Sequence, residues 1–143
     1  MRAALRASAL QELRAAMGQD FLGVDELYRS KFSGALTSTE LIFEKASFAR
    51  KWLAGFLDEA EANACLPDTE QAAAIASVRG NVQVVARAGS GKTTTLVNRA
   101  LFLIKHCGVS PGEMLLLAFN RKAALEIRRR VLLQLVPEAR AEI

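Results

Sequence analysis

The eight residues Ala86-Arg87-Ala88-Gly89-Ser90-Gly91-Lys92-Thr93 limit the possible folds more than any other part of this 143-residue chain. They lie between a β-branched run, Val82 to Arg87, which reads as a strand, and a helix pattern from Lys92 to about His106. Gly89 and Gly91 permit backbone conformations that a side chain would block. Successive N–H groups of such a turn converge into an anion nest, and the helix that follows adds its unpaired amides and the positive end of its dipole. The spacing is Gly-x4-Gly-Lys-Ser/Thr with Ala86 in place of the first glycine, a P-loop. Its chemistry is the binding of ATP phosphates. Main chain from Ala86 through Arg87, Ala88, Gly89, Ser90 and Gly91 to Thr94 surrounds them, Lys92 reaches the β- and γ-phosphates, and the Thr93 hydroxyl ligates Mg²⁺. Lys92 and Thr93 are therefore the candidate catalytic residues.

The surrounding pattern predicts helices at Ala3–Met17, closed by Gly18, and at Phe21–Phe32. The box Thr37-Ser38-Thr39-Glu40 starts one amphipathic helix of about 25 residues that runs to Ala64. Leu66-Pro67 breaks it. Asp68 then caps a further helix, with Gln71 at the N3 position of a second capping box. Beyond the loop helix, Met114–Phe119 is another apolar run of strand length, and Arg121 to about Leu135 is a helix stopped by Pro137. This order predicts an α/β fold: two parallel strands joined by a right-handed helical crossover, preceded by a helical N-terminal region. The expected division is 1–65, helical, and 66–143, nucleotide-binding.

Charge adds a partner class. Net charge is +4, and between Arg121 and Arg130 five Lys or Arg stand against one acid, Glu126, which is compatible with nucleic acid. Consecutive Arg128, Arg129 and Arg130 span about 200° of a helix, so they cannot all face one groove. Cys65 and Cys107 fit neither a metal spacing nor a disulfide framework, and the N-terminus has no signal-peptide core. The expectation is a cytoplasmic protein with reduced thiols and no membrane span.

Three segments stand in familiar order: Leu66-Pro67-Asp68-Thr69-Glu70-Gln71, the loop Ala86–Thr93, and Leu115-Leu116-Leu117-Ala118-Phe119-Asn120-Arg121-Lys122-Ala123-Ala124. Together they resemble the Q motif, motif I and motif Ia of UvrD/Rep-type superfamily 1 DNA helicases, with wording closest to the helicase IV branch. The resemblance implies a partial RecA-like P-loop NTPase domain. It also implies adenine contact by Gln71, and single-stranded DNA near Phe119, Asn120 and Lys122. Two readings stay open for Phe119, a platform for base stacking or a core aromatic at a strand end.

The family's acidic motif, an apolar strand ending in Asp-Glu, is not in this sequence. We therefore expect the ATP-binding part of an ATP-dependent helicase that is truncated and does not turn over ATP alone, with the remainder of the helicase or a complementing chain as partner. The alternative is a non-catalytic nucleotide-binding or partner-binding module. A small-molecule kinase would need an acceptor site and lid that nothing after Pro137 provides.

Overall fold

The computed structural model describes residues 2–135. Among the described residues there are seven α-helices: α1 Arg2–Gln19, α2 Val24–Leu27, α3 Ser38–Phe56, α4 Glu59–Cys65, α5 Thr69–Ala76, α6 Lys92–Lys105 and α7 Arg121–Leu135. A 3₁₀ turn (Phe21–Gly23) precedes α2 and a π-helical turn (Tyr28–Phe32) follows it, where a single helix was expected. Pro137, expected to stop α7, lies outside the described residues.

Helix α1 turns Ala9, Leu13 and Met17 into the core at i, i+4 and i+8, while Leu5 stays exposed. Helix α3 is capped as its sequence predicts, with the Thr37 hydroxyl accepting from the Glu40 N–H at 3.1 Å. It buries Leu41, Ala49 and Leu53 and packs chiefly on α5, with α1 and α6 also against it. Helix α5 buries Ala72, Ile75 and Ala76 and also meets α6, whose Val97, Leu101 and Phe102 continue the same core. An aromatic cluster closes the far end: Phe21 meets Phe102 edge-on at 4.8 Å, and Trp52 stacks on Phe56 at 4.8 Å. His106 joins this cluster, its Nε2 lying 2.8 Å from the Met17 carbonyl. A carbonyl only accepts, so Nε2 carries the proton.

The expected 25-residue helix is two helices. Leu57 is extended (ψ 145°), and the Asp58 carboxylate caps a new start by accepting from the Glu61 N–H at 2.9 Å. A side chain that satisfies the next turn's amide competes with continuation of the helix.

The expected parallel sheet is not formed: among the described residues there is no strand, and the α/β assignment is replaced by an all-helical one. Residues 82–87 are exposed coil, with Val85 88% exposed. Met114–Phe119 keeps the period-2 alternation of a strand: Leu116 and Ala118 pack on the core, while Leu115, Leu117 and Phe119 are bare. Apolar pattern alone does not make a ladder. Two short strands are marginal in water, and a buried parallel sheet needs cover on both faces. The helices described here cover one face of one segment.

Two partly buried ion pairs hold the N-terminal helices. Arg14 clamps Glu44 through two bonds of 2.8 and 2.9 Å. Buried Lys45 meets Asp25 at 2.8 Å and lies 5.6 Å from the centre of the Phe21 ring. Removing one partner of such a pair strands a desolvated charge. Asp25→Ala should therefore destabilise the chain by about 2–3 kcal/mol in urea unfolding, a larger loss than Arg6→Ala at its exposed pair with Glu40. Burial also pushes the Cys107 thiol up to about 12. The neutral thiol then persists, and its contribution to stability is lost only as pH rises from about 9 toward about 12. Cys107 should resist iodoacetamide at pH 8 until the chain is unfolded, as mass spectrometry would read.

Candidate functional site

The loop leaves its coil at Arg87, whose carbonyl accepts from the Ser90 N–H at 3.2 Å, making a tight turn over Ala88 and Gly89. Gly89 and Gly91 both take the left-handed region, φ +77° and +85°. These are the two positions where the sequence demanded glycine. Gly91 is also the N-cap of α6 and brings no capping side chain, so the first amides of that helix meet no side-chain acceptor.

Lys92, Ser90 and Gln71 line one open hollow of about 350 Å³ between the start of α5, the loop and the first turns of α6. Ala86 also lines it, on the side of the coil. Gln71 closes the predicted capping box: its N–H donates to Asp68 Oδ1 at 2.8 Å, and its Oε1 accepts from the Asp68 N–H at 3.0 Å. Its Nε2 also donates to the Ser90 carbonyl at 2.9 Å. The cap and the loop contact are thus made by one side chain. Arg99, which the sequence reading passed over, lines the same hollow. It donates to the Ser77 carbonyl at 2.8 Å, while its buried Nε has no partner.

Thr93 is exposed and lies on a second, shallower hollow, shared with Asn120, Lys122 and Glu126. The structure thus brings the end of the loop beside the start of α7. Glu126 was the single acid in the basic run, a signal visible in the sequence but unassigned there. Thr94 is half-buried, its hydroxyl accepting from Arg130 at 2.9 Å. Arg130 therefore serves the α6–α7 junction, and Arg129 sits 3.6 Å from Glu126 on its own helix. Asn120 caps α7, its Oδ1 accepting from the Ala123 N–H at 2.8 Å. Phe119 is fully exposed and is no core aromatic. Among the described residues no three His, Cys, Asp or Glu gather as a metal cluster, and no helix is long and apolar enough to cross a membrane.

Comparison with known proteins gives the chain a family. It belongs to the UvrD/REP helicase N-terminal domain family, which matches residues 67–142, more than half of its length. It is 42% identical over 64 residues to the putative ATP-dependent DNA helicase YjcD of Bacillus subtilis (strain 168), covering 45% of this chain and 8% of that one. It is 41% identical over 64 residues to the ATP-dependent DNA helicase PcrA of Staphylococcus aureus, covering 45% and 9%. Against the helicase Rep of Buchnera aphidicola subsp. Schizaphis graminum it is 40% identical over 58 residues, covering 41% and 9%. The matched stretch thus spans less than a tenth of each relative. No solved structure matches the chain.

The left-handed glycines give a direct check of the loop. A Cβ at Gly91 would sit 3.0 Å from Gln71 Nε2 in a conformation that L side chains rarely adopt, whereas one at Gly55, inside α3, meets open space. Gly91→Ala should destabilise by about 1–2 kcal/mol, and Gly55→Ala should stabilise by about 0.5–1 kcal/mol, in thermal or urea unfolding.

Proposed function

We propose that this chain is the ATP-binding part of an ATP-dependent DNA helicase, with residues 66–143 as the nucleotide-binding unit and 1–65 as its helical support. One observation carries the reading: Lys92, Ser90 and Gln71 meet on a single open hollow at a helix start that no side chain caps. Uncapped amides and a lysine form an electropositive seat for phosphate oxygens. The main chain of Ala86 to Gly91 wraps the anion, Lys92 supplies the point charge, and Thr94 keeps α6 on α7 through Arg130. Thr93, exposed on the first turn, offers a hydroxyl to Mg²⁺, and the residues present fit that ion as a partner of the phosphates rather than as a protein-caged metal. When bound, Mg²⁺ neutralises charge on the phosphate oxygens. Gln71 reads adenine with what remains of its hydrogen-bonding capacity.

Single-stranded DNA is the second ligand. Phe119 presents a bare ring, a face on which a base can stack, and Lys122 follows three residues on in the chain. The Asn120 side chain orients the turn between them by capping α7. In the whole helicase, ATP binding and release would drive translocation along the strand in the cytoplasm. This chain by itself lacks the Asp-Glu carboxylates that activate water, so it binds ATP without turning it over.

The bare Val84, Val85, Leu115 and Leu117 favour a second reading, in which another chain docks on these segments and supplies the missing acid.

A fluorescent ATP analogue with Mg²⁺ should bind the wild type at least about tenfold more tightly than Lys92→Ala, one phosphate-bound charge being lost. Equal affinities remove the phosphate-seat assignment. A basal ATPase rate that vanishes in Lys92→Ala would instead show that the chain is catalytically competent alone.

A further inference from the structure

Gln71 is committed twice before any ligand arrives. Its side chain stands on α5, bonded to the Asp68 main chain at 3.0 Å, and it reaches across to the Ser90 carbonyl at 2.9 Å. Ser90 sits between the two left-handed glycines, the most freely rotating stretch of the loop. The loop's own bond, Ser90 N–H to the Arg87 carbonyl, closes a turn but ties it to nothing outside. The Gln71 amide is a tether from the helical core to the middle of the phosphate loop. Helix α5 is itself fixed at both ends, by Arg50 on the Pro67 carbonyl at 3.0 Å and Arg99 on the Ser77 carbonyl at 2.8 Å. The would-be Cβ of Gly91, 3.0 Å from Nε2, measures how closely the amide lies on the loop.

From this geometry we infer that Gln71 is a positioning residue for the phosphate seat, independent of its contact with a base. The inference rests on the ATP reading above. A primary amide has two donors and two acceptor lone pairs, so one N–H and one lone pair remain for a purine edge after the two contacts described. The same group then links the base side of the hollow to the phosphate side. Freeing the loop would disperse its N–H groups and weaken any polyphosphate, with or without a nucleoside attached.

The distinguishing ligand is inorganic tripolyphosphate, which has no base. With the full chain, isothermal titration compares ATP and tripolyphosphate against wild type and Gln71→Met, a neutral replacement of similar size. Gln71→Glu, which keeps an acceptor for the Asp68 N–H but has no donor for Ser90, is the second variant. The expected result is a loss of about five- to tenfold in affinity for both ligands in Gln71→Met. In the absence of ligand, amide exchange at Ser90 should accelerate several-fold in both variants while exchange at Ser77, at the end of α5, is unchanged. If Gln71→Met weakens ATP alone, with tripolyphosphate affinity and Ser90 exchange at wild-type values, Gln71 is only a base reader and the inference is overturned while ATP binding stands. If the wild type binds neither ligand, the ATP reading falls and the inference with it.

Discussion

The site depends on how one short helix is held. Eight residues are too few to be helical alone in water, so α5 exists through its cap and its packing. Asp68 and Gln71 satisfy its first amides reciprocally, and Ala72, Ile75 and Ala76 settle between α3 and α6. Alanine side chains let both neighbours approach closely. Arg50 from α3 and Arg99 from α6 take the carbonyls that flank the helix. Because α5 is immobilised from both sides, its N3 side chain can act at a distance of nineteen residues on the glycine turn. The N-terminal helices therefore reach the loop through packing, without supplying a side chain to it.

Much of this was legible in the sequence. The Asp68–Gln71 box, the Thr37 cap, the start of α6 at Lys92 and the glycine conformations at 89 and 91 follow from local chemistry, and local chemistry is what a sequence displays. Asp58 and Asn120 carried the same kind of signal: each is an N-cap with its amide partner three residues on. A continuous apolar stripe masked the first, and a proposed DNA role masked the second. The Gln71–Ser90 bond was not legible, because only tertiary packing brings those positions together.

The sheet shows the opposite failure. Alternating apolar residues at 114–119 are a true record of a two-sided environment, and Leu116 and Ala118 do face the core. The same record cannot specify what pairs with the main chain, since ladder bonds come from elsewhere in the fold. Family membership and secondary structure part company here for a physical reason. Motif residues are fixed by the ligand they serve, whereas strands are fixed by their neighbours. Arg128 to Arg130 illustrate the same limit on a helix: composition marked a basic stretch, but only the packing of α7 on α6 shows that Arg130 turns inward to Thr94.

The bare side of the 114–119 segment has a colloidal consequence. Leu115, Leu117 and Phe119 stand in a row at strand spacing, beside main chain that no ladder occupies, which is the arrangement by which polypeptides template one another edge to edge. Arg121 and Lys122 follow at once and act as gatekeepers, since stacking copies in register would bring like charges together. Ionic strength therefore bears on the shelf life of this chain in solution: added salt screens the repulsion that Arg121 and Lys122 set next to that row and leaves its stickiness untouched.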